Sequence, residues 1–325
     1  MQPGSAGQDD QPRGRPQAGF FSSARTLVLP VSERMEPGAL RGYPIDFRTK
    51  ARAADEMPAW RLPASAIQWA LGCYERWLAG EGEVWLQAAR STAEQLVTRQ
   101  EPGGRLDGGW LHHEPLAHTY RLSAPWLSAL PQGEGASLLV RIYQQTGEER
   151  FADAARRALR PLERPVADGG VFALLDGDPF PEEYPTDPPS YVLNGAIFAL
   201  WGFHDVAIAF DDSALGAEFE RRVDALSRSI HRWDTGRWSR YDLFPHPVPN
   251  VASGAYHALH TNQLRAMNIL APRLTLASTA ERFAAYSASR AHRSEAFARK
   301  VAFRLLVPRN ARLTRLMRAA GAGNS

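Results

Sequence analysis

From Pro63 onward the apolar residues fall at helical spacing in pairs of segments, and the pairs recur. PASAIQWALGCYERWLAG is followed by EVWLQAARSTAEQLVTRQ, and APWLSALPQGEGASLLVRIYQQTG by EERFADAARRALRPL. SYVLNGAIFALWGFHDVAIAF then pairs with ALGAEFERRVDALSRSIHRW, and AYHALHTNQLRAMNILAP with ERFAAYSASRAHRSEAFARKVAF. The first members start about 60 to 65 residues apart, the mark of a repeated supersecondary unit. Three linkers after a second helix join glycine to an aromatic: Gly108-Gly109-Trp110, Gly169-Gly170-Val171-Phe172 and Gly236-Arg237-Trp238. A helical hairpin cannot bury its apolar face alone, so such units must close on one another. The expected fold is all-α: an α/α toroid of about four helical hairpins, first helices inside, with short β-hairpin-like linkers. Polar and aromatic residues gather near the N-termini of the first helices, which puts the cleft at that end.

The flanks read differently. Residues 1–25 are poor in apolar residues and rich in Pro, Gly and Gln, the composition of a disordered tail. They lack the apolar core of a secretory signal. TLVLPVSERM and GYPIDFRTKA then read as short extended pieces. The toroid domain is expected over 26–302, and 303–325 is a basic tail holding Arg304, Arg309, Arg312, Arg315 and Arg318. Such a tail is either solvated or docks an acidic surface. No apolar run reaches the roughly 20 residues of a membrane span, and no nucleic-acid motif accompanies the basic residues. The single cysteine, Cys73, lies on a helical apolar face, where a packed thiol is expected. One cysteine, no signal and no span together predict a cytoplasmic protein.

Residues 182–264 carry the chemistry-bearing side chains. Tyr184, Tyr241 and Tyr256 each stand at the edge of a helix or turn beside a charged or imidazole neighbour. Such a tyrosine is ordinarily an amphipathic wall residue with its hydroxyl in water. It becomes an acid or base when cations or hydrogen-bond donors lower its pKa from about 10. His257 and His260 are too sparse a set for a metal and suit hydrogen bonding to substrate. Asn194, inside a helical run, reads as a polar residue facing an inner cavity. His112-His113-Glu114 reads as a cleft-rim loop rather than a metal site, since adjacent histidines point apart. Asp211-Asp212 is the start of a helix.

EEYPTDPPSYVLNG, RYDL followed by PN, AYHALHTNQL and WLSALPQGEGASLLVRIY resemble the C-terminal domain of the D-glucuronyl C5-epimerases, over about residues 126–270. The resemblance implies an α/α barrel, usually preceded by β-rich domains for which no room exists before Pro63. It implies conversion of D-glucuronate to L-iduronate within a glycan, by removal of the C5 proton and its return on the opposite face. Tyr256 and Glu183 would be the opposing proton-transfer pair, with Tyr184 and Tyr241 as further active-site tyrosines. His257, His260, Asn194, Gln132 and Asn262 would contact the sugar. The family's arginine after YDL is replaced here by Phe244-Pro245, so Arg240, Arg237 or His246 is expected to meet the uronate carboxylate. The overall oxidation state does not change, so no cofactor is required and no metal is expected. The expected partner is a glucuronate-containing polysaccharide or oligosaccharide, with a homodimer left open. A polysaccharide lyase shares the proton abstraction, and a glycan-binding protein without catalysis shares the cleft. A glycoside hydrolase would need a second carboxylate beside Glu183.

Overall fold

The structure, a computed structural model, describes residues 28–60 and 62–309. The expected N-terminal tail and most of the basic tail lie outside those residues. The fold is mostly helical with one small two-stranded sheet. Its hairpins are α1 (Pro63–Leu78) with α2 (Glu83–Arg99), and α3 (Ala129–Thr146) with α4 (Glu149–Leu159). α5 (Leu193–Phe210) pairs with α6 (Ser213–Ser229), and α7 (Gly254–Leu270) with α8 (Leu274–Ala288). The first helices also pack along a row, α1 on α3, α3 on α5 and α5 on α7. They are therefore buried on most sides, whereas α2 and α6 bury a single stripe.

The middle of the row is its tightest contact. A Cβ on Gly133 would lie 2.4 Å from the Cα of Ala199, and one on Gly202 would lie 2.6 Å from the Cα of Gly133. Only glycine lets the α3 and α5 backbones approach so closely. α5 has a mean hydropathy of 1.4 over 18 residues, enough for a membrane span by length and composition, but 83% of it is buried inside the protein. Its apolarity is that of a core helix.

Between α4 and α5 the linker forms a true hairpin, β1 (Phe172–Leu175) with β2 (Asp178–Pro181), Phe172 facing Pro181 and Leu175 facing Asp178. Its turn residues Asp176 and Gly177 both have positive φ, 53° and 93°, matching the two-residue turn that follows sheet twist. The other linkers make isolated bridges instead, such as His112 with Trp126 and Arg240 with Val251.

Two boundaries differ from the sequence expectation. The last pair was expected to end in one helix over 281–303. Instead α8 stops at Ala288, Ser289 is extended, and its hydroxyl accepts from His292 N to cap a ninth helix, α9 (Arg290–Leu306). α9 thus crosses the limit drawn at residue 302. The capping of α6 by Asp212, which accepts from Leu215 N at 3.0 Å, matches the helix start read there. Cys73 is buried, and burial pushes its thiol up to about 12, as for a packed residue.

The N-terminal segment lies across the row of first helices. Tyr43, Ile45 and Phe47 are fully buried, and the Tyr43 ring packs on Phe198 and Trp201 of α5. Glu75 of α1 accepts from Ser32 Oγ at 2.9 Å and from Tyr43 N at 2.8 Å. Arg141 of α3 donates to the Gly42 carbonyl at 3.1 Å and pairs with Asp205 at 2.5 Å in the core. Asn262 of α7 donates to the Leu29 carbonyl at 2.9 Å. The segment therefore ties α1, α3, α5 and α7 together and ends with Lys50 beside their N-termini.

Candidate active site

The loop 182–191 is shaped by its first carboxylate. Glu182 is fully buried and accepts from Ser190 N at 2.8 Å, Ser190 Oγ at 2.5 Å and Tyr191 N at 3.0 Å. Its backbone is held at both ends, N–H donating to Val171 O and C=O accepting from Ala129 N. With Glu182 turned into the loop, the adjacent Glu183 faces α5. Asn194 Nδ2 donates to Glu183 Oε2 at 3.2 Å, and the Tyr241 hydroxyl donates to Oε1 at 3.5 Å. Gly195 makes the space, since a Cβ there would lie 2.5 Å from Glu183 Oε2. Burial raises the Glu183 carboxyl to about 7 against the lowering by Tyr184, Asn194 and Tyr241.

The tyrosines converge on this carboxylate. Ser253 caps α7 by accepting from Tyr256 N at 3.4 Å, which sets Tyr256 in the first turn. The rings of Tyr256 and Tyr241 meet edge to face at 4.8 Å. Tyr184 stacks on Tyr120 at 4.5 Å, and the Tyr120 hydroxyl donates to Asp242. Tyr184, Tyr241 and Tyr256 are all held above the usual tyrosine range, first by burial and then by the charge of Glu183. This corrects the expectation of lowered values. Arg309 and Arg304 pull Tyr256 down but do not outweigh the burial. The three hydroxyls are thus proton donors at neutral pH, and Glu183 is the group poised to titrate.

A cavity of about 560 Å³ opens onto these groups, with Glu183, Tyr184, Asn194 and Tyr256 in its lining. Across it stand Lys50 and Gln68. Lys50 Nζ donates to Gln68 Oε1, and Gln68 Nε2 donates to the buried Glu134 at 2.8 Å. Burial lowers the Lys50 amine and raises the Glu134 carboxyl, each opposed by the other's charge. His112 and Trp126, stacked at 3.9 Å, form part of the rim, as read for that loop.

Of the residues singled out in sequence, Glu183, Tyr184, Asn194 and Tyr256 reach the cavity, and Tyr241 backs them. The others point elsewhere. Ser239 Oγ donates to His257 Nδ1 at 2.7 Å and accepts from His260 Nδ1 at 3.0 Å, while His257 Nε2 donates to Phe283 O at 2.9 Å. Burial lowers these imidazoles to about 4 and about 3, so both are neutral, and neither lines the cavity. Gln132 is locked by Trp110 N at 2.9 Å, Gly108 O at 3.0 Å and Ala158 O at 2.9 Å. Asn262 is occupied with the Leu29 carbonyl. Arg237 is exposed and pairs with Glu295 at 3.3 Å. Arg240 is absent from the cavity lining, its N–H donating to Trp233 O, and His246 lies 3.4 Å from Asp242. Lys50, Gln68 and Tyr120 carry no signal in the sequence, since each lies far from the 182–264 stretch or on an ordinary helix face, and Arg304 is legible there only as part of the basic tail.

Residues 79–285 match the sequence model of the family described as the D-glucuronyl C5-epimerase C-terminus. A D-glucuronyl C5-epimerase from Caenorhabditis elegans is 32% identical over 215 residues, which is 61% of this chain and 34% of that protein. An uncharacterized protein from Methanocaldococcus jannaschii is 30% identical over 132 residues, 39% of this chain and 42% of that one. The chain thus spans less than half the length of either relative.

Proposed function

Because the chain belongs to the D-glucuronyl C5-epimerase C-terminus family, we propose that it interconverts D-glucuronate and L-iduronate residues of a glucuronate-containing glycan. The paired helices, with α1, α3, α5 and α7 inside, support reading residues 26–302 as an incomplete α/α toroid that carries this site, with α9 extending it. The observation that carries the functional reading is the sharing of one cavity by Glu183, a buried carboxylate titrating at about 7, and Tyr256, a neutral hydroxyl.

Epimerisation breaks the C5–H bond on one face and forms it on the other. Ionised Glu183 takes the proton, and the electron pair passes into the C6 carboxylate. Tyr256 then returns its own proton to the opposite face. In the reverse direction the roles exchange, and the pair carries one proton in total before and after each turnover. Tyr241 donates to Glu183 and steadies its ionised form, while Asn194 fixes the other oxygen. No electrons leave the sugar. The cavity continues past His118, Thr119 and Tyr120 into a second one of about 410 Å³, room for neighbouring residues of a polymer.

The test is proton NMR of glucuronate-containing glycans incubated with the full chain in D2O. Deuterium at C5 with unchanged chain length is expected, and Tyr256→Phe should slow the formation of iduronate from glucuronate by at least about 100-fold. A product with a C4–C5 double bond would make the protein a lyase. Iduronate still formed by Tyr256→Phe at the wild-type rate would remove that hydroxyl from the scheme.

A further inference from the structure

The chemistry requires a cation at the uronate carboxylate. Arg237 and Arg240 line neither cavity, and His246 lines only the outer one, away from Glu183 and Tyr256. A small recess of about 40 Å³ adjoins the inner cavity, walled by Tyr120, Tyr184, Tyr241 and Asn250 and by Arg304 and Arg309. Tyr184 and Arg309 line both spaces, so the recess adjoins the reacting groups. It has the size of a carboxylate rather than a sugar ring.

Cations gather around the recess. Arg304 and Lys300 lie one turn apart on α9. The Lys300 ammonium donates to Asn250 Oδ1 at 2.7 Å and Val251 O at 2.8 Å, and lies 5.7 Å from the Tyr241 ring. Asp242 also stands on this side, and its Oδ2 already accepts from Tyr120 and Asn250 and lies near His246. Arg304 donates to Thr119 Oγ1 at 3.3 Å, yet its Nε is buried and makes no hydrogen bond among the described residues. Burial and the neighbouring cations lower Arg304 to about 10 and Lys300 to about 7. A buried guanidinium with an unmet donor beside like charges is stabilised by an anion. Lys50, across the cavity, already has Gln68 and Glu134.

We propose that Arg304, flanked by Arg309 and Lys300, is the anion site of this cavity and takes the carboxylate of the uronate whose C5 faces Tyr256. The identity of the anion rests on the epimerase reading; the existence of the site does not. When the C5–H bond breaks and its proton goes to Glu183, the electron pair forms a C5–C6 double bond and puts a second charge on the carboxylate oxygens. A guanidinium there binds that charge more strongly than the ground-state carboxylate. When the proton from Tyr256 reaches C5, the charge returns to a single carboxylate. Arg304 and Arg309 lie outside residues 79–285, so this role is specific to the segment that follows the family match.

The experiment is calorimetric titration of the full chain with a glucuronate-containing oligosaccharide and with its carboxyl-reduced counterpart. Wild type should prefer the acid by at least about tenfold. Arg304→Gln should erase the preference by weakening the acid alone, and Arg304→Lys should restore part of it. Equal affinity in wild type, no measurable binding of the acid, or a preference intact in Arg304→Gln would overturn the site. Should Arg304→Gln not fold, Arg309→Gln is measured with the same two ligands, and an unchanged preference there counts against the cluster. An Arg304-dependent preference without C5 exchange would keep this site and remove the epimerase reading. Exchange with an Arg304-independent preference would do the reverse.

Discussion

At the scale of single residues, two neighbouring glutamates have been given opposite tasks by their surroundings. Both carboxyls are raised to about 7 by burial, but Glu182 spends its oxygens on Ser190 and Tyr191 whereas Glu183 faces a cavity. The sign of the pH dependence follows from counting protons. In the proposed scheme the pair holds one proton in either direction: attack on glucuronate needs Glu183 ionised and Tyr256 protonated, and the reverse reaction needs the opposite arrangement. Below about 7 both groups are protonated and no base is present. The C5 exchange rate should therefore rise about tenfold per pH unit below that value and level off above it. Because Glu182 titrates in the same range, the profile is to be repeated with Glu182→Gln. A limb that vanishes in a folded, active Glu182→Gln belongs to the loop; one that stays near pH 7 there and also in Lys300→Gln, whose amine is lowered into the same range, belongs to Glu183.

At the scale of elements, the site depends on how close the loop 182–191 comes to the first turn of α5. Gly195 allows that approach. A Cβ there would lie 2.6 Å from the Glu183 Cβ as well as against its carboxylate, so the loop must shift. Gly195→Ala should cost about 1–3 kcal/mol in denaturant unfolding, the usual range for overpacking. It should also lower C5 exchange by more than tenfold, because Asn194 and Tyr241 would lose Glu183. Exchange at the wild-type rate would mean that the carboxylate's position is not what matters. The same contacts explain what could be read in advance. The repeat indicated the helix pairs, and the EEY and AYH motifs pointed to Glu183 and Tyr256, both of which line the cavity. What a motif does not give is direction. In α7 each residue turns about 100° from the last, so Tyr256 enters the cavity while His257 and His260, three apart, share another face toward Ser239. Gln132 likewise turns toward Trp110 and Gly108. The break at Ser289 lay hidden in an alanine-rich run whose spacing continues through it.

At the scale of the whole molecule, Lys50 and Arg309, two cations that line the same cavity, come from opposite ends of the described chain. No local pattern could pair them; the fold does so by laying the N-terminal segment over α1, α3, α5 and α7. If that segment belongs to the same cooperative unit as the helices, loosening it must weaken the core and the site together. Tyr43 is the place to test this, being fully buried among Phe47, Phe198 and Trp201 while its hydroxyl makes no hydrogen bond among the described residues. Tyr43→Phe removes an unmet polar atom and should leave stability equal or higher. Tyr43→Ala empties the ring's space and should cost about 3–5 kcal/mol in one unfolding transition, with exchange falling as Lys50 loses its support. Two transitions, the helices melting at an unchanged denaturant concentration, would instead make the segment an appended strap. The cavity would then be a property of the helices alone.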